Sequence, residues 1–145
     1  MQKNHPRVGI GVLVFKENRV LLGERIHSHG SGTWSPPGGH LEFGETPLQC
    51  AARELNEETS LAAQKVVLGP WTNDFFEKEN KHYVTLYMIV PDFIGSPSVQ
   101  EPDKCLRWKW FDTNDLPQPL FLSFSNLIQE NPLEKLVSHF VPLSL

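Results

Sequence analysis

Residues 39–61 read GHLEFGETPLQCAARELNEETSL. Five carboxylates fall within this stretch: Glu42, Glu45, Glu54, Glu57 and Glu58. The last three close a segment of helical character, with Arg53 beside Glu54. Glu54 and Glu58 are four residues apart and so stack on one helical face, and Glu57 lies one step round. Like charges at that spacing destabilise a helix unless something neutralises them. A hard divalent cation such as Mg2+, which takes oxygen ligands, would do so. The alternative is a charged face turned to water.

The helix carrying these carboxylates is expected to begin at Thr46. Thr46, Pro47, Leu48 and Gln49 match a capping box, with Pro47 suited to the first helical position. Leu48, Ala51, Ala52 and Leu55 recur at helical spacing and form the expected buried face. Glu54 and Glu58 then flank that face, Glu57 lies further round, and Arg53 sits on the solvent side beside Glu57. Such carboxylates stand at the border of core and water, where a metal site is screened yet open to substrate.

Upstream, residues 35–39 (SPPGG) cannot continue a helix. They are expected to set a rigid approach, then a backbone free to take unusual dihedrals. Residues 8–15 (VGIGVLVF) read as a buried strand, residues 16–18 as a polar turn and residues 19–24 as a second strand, making a hairpin. Residues 27–33 (HSHGSGT) form a loop. Downstream, residues 65–76 and 82–92 are two strands joined by a turn at 77–80. Residues 105–111 (CLRWKWF) are another strand, with Trp108 and Trp110 on one face. Residues 120–129 form a helix, and Pro132 separates it from a short apolar tail. Strands in antiparallel hairpins flanked by two helices imply an α+β sandwich.

The 145 residues suit one domain, 1–145, with a real core. With 39% hydrophobic and 21% charged residues, a soluble globular chain is expected. A net charge of -4 argues against a large non-specific nucleic-acid surface, though bound metal can supply positive charge for a small phosphate-bearing ligand. Cys50 and Cys105 lack metal-site spacing, and Cys50 reads as a small buried thiol. The polar start MQKNHPR and the absence of any long apolar run point to a cytoplasmic protein without a membrane span.

Gly39, five residues, Glu45, seven residues and then Arg53, Glu54, Leu55, Asn56, Glu57 and Glu58 resembles the signature of the Nudix hydrolases over residues 39–61. That signature closes on a glycine and an aliphatic residue, and this chain has Ser60 and Leu61 there. The departure concerns the exit from the helix, where Gly tolerates a left-handed backbone better than Ser. It removes no carboxylate. Residues 37–45, 76–85 (FEKENKHYVT) and 101–110 (EPDKCLRWKW) extend the likeness to a MutT-like subgroup of nucleoside triphosphate pyrophosphohydrolases with animal and plant members. The resemblance covers about residues 8–125 and implies an α/β/α sandwich with a mixed, curved sheet between helices. It also implies Mg2+-dependent hydrolysis of a (deoxy)nucleoside triphosphate to monophosphate and pyrophosphate, in nucleotide-pool sanitising or control. Mn2+ is a possible substitute metal, and a homodimer is implied.

By matching the signature, Glu54, Glu57 and Glu58 would hold metal, with the Gly38 carbonyl as a further ligand. Arg53 would orient Glu57 or a neighbour. Glu45 would support the loop by hydrogen bonding or ion pairing. Either Glu54 or an acid of the 101–103 loop would assist the attacking water. For the substrate, Gly38, Gly39 and His40 are contact candidates, Arg25 is a phosphate contact, and Ser35 and Thr85 offer hydrogen-bond groups. Trp34 is a candidate base platform, with Phe121, Leu122 and Phe124 as an apolar wall, although such residues are commonly core. Core or dimer contact is the expected role of Trp108 and Trp110, and solvation that of His27 and His29. Two other readings compete: hydrolysis of another diphosphate (a dinucleotide polyphosphate, a nucleotide sugar, or a pterin or isoprenoid diphosphate), and a silent nucleotide-binding domain. A silent domain should have lost carboxylates that this chain keeps.

Overall fold

The computed structural model describes residues 4–27 and 29–141. The strands are β1 (Arg7–Lys16), β2 (Arg19–Arg25), β3 (Trp34–Ser35), β4 (Gly38–His40), β5 (Ala62–Phe76), β6 (Lys81–Ile94) and β7 (Cys105–Asp112). The helices are α1 (Pro47–Thr59), α2 (Leu122–Glu130) and α3 (Leu133–Phe140). β1 organises the sheet. It runs parallel to β6 over residues 7–14, antiparallel to β4 over residues 9–11, and antiparallel to β2 at Phe15 and Lys16. β5 pairs with β6, while β3 and β7 pair with β2, all antiparallel. The sheet is therefore mixed, as expected.

Helices cover both faces, which is why β1 is apolar without a break. Ile10, Val12 and Val14 face the core built with Cys50, Ala51 and Leu55 of α1. Leu13 and Phe15 face the opposite core, built with Phe124 and Leu127 of α2 and Leu133 and Leu136 of α3. The period of two along one strand thus assigns alternate residues to two layers. Trp108 and Trp110 pack against the α1 core. Cys50 is fully buried, as its apolar setting suggested. Among the described residues, no helix is long and apolar enough to cross a membrane.

Three local expectations are corrected. Leu48 is exposed and Ala52 half-buried, because the buried stripe of α1 runs through Cys50, Ala51, Leu55 and Thr59. Gly38 and Gly39 do not take a positive φ; they form β4, where the need is close approach and not unusual dihedrals. The tail after Pro132 is a helix: Pro132 caps α3, and Leu133, Leu136, Val137 and Phe140 pack at helical spacing. Trp34 and Ser35 form a short strand for which the sequence reading gives no expectation.

The start and end of α1 follow the sequence closely. Thr46 Oγ1 accepts from Gln49 N at 3.1 Å, and Gln49 Oε1 accepts from Thr46 N at 3.0 Å. Ser60 ends the helix at φ 68°, ψ 1°, the left-handed region that costs an L residue about 1–2 kcal/mol. Its hydroxyl contact with Ser98 Oγ at 3.2 Å is exposed and offsets little. Ser60→Gly is therefore expected to raise the melting temperature by about 2–4 °C. An unchanged or lower melting temperature would show that the serine is not strained.

Candidate active site

The site begins with two glycines that leave space. A Cβ on Gly38 would overlap the carbonyl oxygen of Ile10, so β4 can lie this close to β1 only without a side chain there. A Cβ on Gly39 would overlap the carboxyl group of Glu54, so the same strand makes room for a side chain from α1. Gly38 N donates to Glu58 Oε2 at 2.8 Å. Neighbouring glycines therefore receive two carboxylates one helical turn apart.

Arg53 bends over the acidic cluster instead of pointing to solvent. Its Nε and Nη2 donate to the two carboxylate oxygens of Glu45 at 2.8 and 2.9 Å. Nη1 donates to Glu54 Oε1 at 2.9 Å and to Glu57 Oε2 at 3.2 Å. Glu45 also accepts from Glu42 N at 3.0 Å and so fastens the loop before α1. The Arg53 hydrogen bonds, with help from the backbone, hold the Glu45 carboxyl down at about 2, and Glu45 in turn raises the Arg53 pKa.

Glu54 and Glu58 experience the opposite field. Burial raises both, pushing Glu58 up to about 8 against the Gly38 hydrogen bond, with Glu54 and Glu101 adding repulsion. Arg25 counters this by its charge, while burial lowers its own pKa. Negative charge is thus gathered where water screens it poorly. Among the described residues, no three His, Cys, Asp or Glu side chains already form a metal cage. Glu57 leans to Arg53 with its side chain half exposed, and Glu58 leans to Gly38. The oxygen donors and their unbalanced charge nevertheless suit a hard divalent cation.

These groups line a cleft of about 560 Å³, a size suited to a small ligand. Arg53, Glu54, Glu57 and Glu58 form its acidic wall, and Gly38, Gly39 and His40 its β4 edge. Arg25, Ser35, Thr85 and Phe121 also line it. Glu45 stands behind Arg53 and does not. Glu101 lines the cleft, whereas Asp103 is exposed outside it. Trp34 and Leu122 are not among the lining residues, and Phe124 is fully buried. Strand alternation explains the first: Ser35 takes the cleft side, so Trp34 packs against Phe111 with ring centroids 5.0 Å apart. Leu122 and Phe124 follow Phe121 into α2, whose turn carries them away from the cleft.

The cleft also contains residues that sequence reasoning does not reach. Tyr83 and Tyr87 line it with Thr85, at the period of two that Thr85 alone should have suggested. Tyr83 Oη lies 3.0 Å from His40 Nε2, and the two rings stack at 5.5 Å. His29 is not solvated: its side chain packs edge-on to Phe76 at 4.0 Å and to Phe121 at 5.5 Å. The Arg25 guanidinium lies 4.2 Å from the Phe121 ring centroid. No local sequence signal joins these distant residues.

Comparisons with known proteins agree with this geometry. The NUDIX domain family model matches residues 5–130. The chain is 30% identical over 118 residues to the ADP-ribose pyrophosphatase of Methanocaldococcus jannaschii, covering 81% of this chain and 68% of that protein. It is 34% identical over 95 residues to the 8-oxo-dGTP diphosphatase of Proteus vulgaris, covering 64% and 82% respectively. The crystal structure of a MutT NUDIX hydrolase from Burkholderia pseudomallei superposes with a TM-score of 0.81 at 31% identity, covering 90% of this chain and 98% of that one.

Proposed function

The chain belongs to the NUDIX domain family and is a hydrolase of pyrophosphate bonds, and from that premise we propose that it cleaves a (deoxy)nucleoside triphosphate into a monophosphate and pyrophosphate with Mg2+, in control or cleaning of the nucleotide pool. The observation that carries this reading is the meeting of Glu54 and Glu58 behind Gly38 and Gly39, on the wall of a cleft of a size suited to a small ligand. The similarity to an 8-oxo-dGTP diphosphatase supports the triphosphate.

Glu54, Glu57 and Glu58 hold the metal in this proposal, with the Gly38 carbonyl as a further candidate ligand. A bound Mg2+ neutralises phosphate charge and lowers the pKa of water. Arg53, fixed by both oxygens of Glu45, orients Glu54 and Glu57. Water attacks phosphorus, the anhydride P–O bond breaks and pyrophosphate leaves with the bond electrons. The water proton goes to a carboxylate, and the cleft offers Glu54 and Glu101 for this role. Arg25 faces the phosphates, and Phe121 with His40 and Tyr83 borders the nucleoside. We also propose a homodimer. Exposed Trp71 and Phe75 on the outer face of edge strand β5 support it, and sedimentation at several concentrations tests it.

The test is a panel of nucleoside and deoxynucleoside triphosphates, ADP-ribose and dinucleotide polyphosphates, assayed with and without Mg2+. Pyrophosphate and monophosphate should appear together from a triphosphate, and only with metal. The similarity to an ADP-ribose pyrophosphatase favours a second reading, a nucleoside diphosphate joined to a sugar; ADP-ribose turnover with idle triphosphates would establish it instead. Phe121→Ala should raise KM about tenfold while changing kcat by less than about threefold, because it removes packing made equally in ground and transition states. A fall in kcat alone would place Phe121 outside the base pocket.

A further inference from the structure

Behind the cleft wall lies a carboxylate that the mechanism does not use. Asp74 on β5 is fully buried. It accepts three hydrogen bonds: Thr72 Oγ1 at 2.8 Å and Thr85 Oγ1 at 2.6 Å on Oδ2, and Asn126 Nδ2 at 2.8 Å on Oδ1. Thr72 Oγ1 lies 3.3 Å from Ser123 Oγ, and Ser123 Oγ lies 2.7 Å from Tyr87 Oη. Thr85, Ser123 and Tyr87 also line the cleft.

The directions of these bonds are not free. A hydroxyl has one proton, and an ionised carboxylate only accepts. Thr72 and Thr85 both give their protons to Asp74. Thr72 can then only accept from Ser123, and Ser123, its proton spent, can only accept from Tyr87. One assignment gives every contact a proton: Tyr87 to Ser123 to Thr72 to Asp74, with Thr85 donating to Asp74 from the other side. All four hydroxyls point their protons inward. Among the described residues, Thr85 Oγ1 makes no hydrogen bond other than its donation to Asp74, so its lone pairs remain available to the cleft.

Resting on the nucleotide reading above, we propose that Asp74 is a positioning residue that makes the inner wall at Thr85 a hydrogen-bond acceptor, so that the nucleobase seated there must present an N–H. A ring N–H or an exocyclic amine meets Thr85 Oγ1. A carbonyl or an unprotonated ring nitrogen meets lone pairs and is rejected. The wall therefore discriminates among bases by donor pattern, and the choice originates in a side chain that never touches the ligand.

Calorimetric binding of four 5′-monophosphates, those of adenosine, guanosine, inosine and purine riboside, with Mg2+ present, tests this. Purine riboside has no base N–H. At least one of the other three should bind about tenfold or more tightly than it. Thr85→Val should bring that ratio within about threefold, because the N–H-bearing ligands lose their acceptor and purine riboside no longer meets lone pairs. Asp74→Leu should also collapse the ratio, because the hydroxyls lose their common acceptor. Asp74→Asn should preserve it, with its amide oxygen taking the threonine protons and its NH2 meeting a turned Asn126 amide. If Asp74→Leu does not fold, Thr85→Val decides. Equal binding of all four ligands by the wild type, no binding of any, or a ratio that survives Thr85→Val would overturn the proposal. Pyrophosphate release from the matching triphosphates separates the two readings. Discrimination without turnover refutes the triphosphatase alone, and turnover without discrimination refutes the role of Asp74 alone.

Discussion

Glu58→Gln is expected to lower metal-dependent pyrophosphate release at least about a thousandfold, the loss anticipated when several kcal/mol of charge stabilisation is removed from the transition state. The substitution keeps the shape of the side chain, and an amide oxygen can still accept from Gly38 N, now at 2.8 Å from the carboxylate. The fold should persist. In metal-free protein the variant should even be more stable at high pH. Burial raises the Glu58 carboxyl to about 8 from an ordinary 4.5. An acid whose folded pKa is raised binds more protons folded than unfolded, so its contribution is full below about 4.5 and fades as pH rises to about 8. With a chelator present, Glu58→Gln should therefore melt on the order of 5 °C above wild type at pH 8 and close to it at pH 4.5. Mg2+ should stabilise wild type at pH 8 and have little effect on the variant. Turnover at the wild-type rate by a folded Glu58→Gln protein would remove the basis for the proposed chemistry.

Arg53→Lys should cost about thirty- to a hundredfold in kcat, the range typical for groups that orient metal ligands. Lysine keeps the charge but is a point donor without the planar fork. It cannot hold both Glu45 oxygens and still reach Glu54 and Glu57, as Arg53 does at 2.8, 2.9, 2.9 and 3.2 Å. The variant should also need more Mg2+ for half-maximal rate, a readout that mere loosening of the surface would not move. The Glu45 carboxyl, held at about 2 by Arg53, contributes stability that is present above its ordinary 4.5 and lost as pH falls toward 2. Arg53→Lys should narrow that acid-side window, opposite in sign to the effect of Glu58→Gln. Wild-type kcat and metal dependence in Arg53→Lys would mean that the hub only decorates the helix surface.

Much of the fold rested on local signals. The capping box at Thr46 and Gln49, the unbroken Val- and Ile-rich run in residues 8–15 and the spacing of Glu54 and Glu58 each depend on neighbours within about a turn or a strand repeat. Such signals survive without tertiary context. The left-handed Ser60 was also foreseeable, since the helix exit called for a glycine that the chain lacks. The third helix is hidden from a sequence reading although its apolar residues keep helical spacing, because a proline that caps a start, as Pro132 does, looks the same as one that ends a helix.

The sequence by itself determined which carboxylates share a helix face, where that helix begins and that residues 8–15 form a buried strand. Only the tertiary structure decided that Gly38 and Gly39 serve close approach, that Arg53 folds back on Glu45, that Trp34 faces away while Tyr83 and His29 face the cleft, and that Asp74 orders four hydroxyls from three elements. The physical reason is the range of each interaction. Backbone periodicity is set by adjacent residues, whereas a carboxylate's partners, and the field that moves its pKa, come from whatever segments the folded chain brings within a few ångströms.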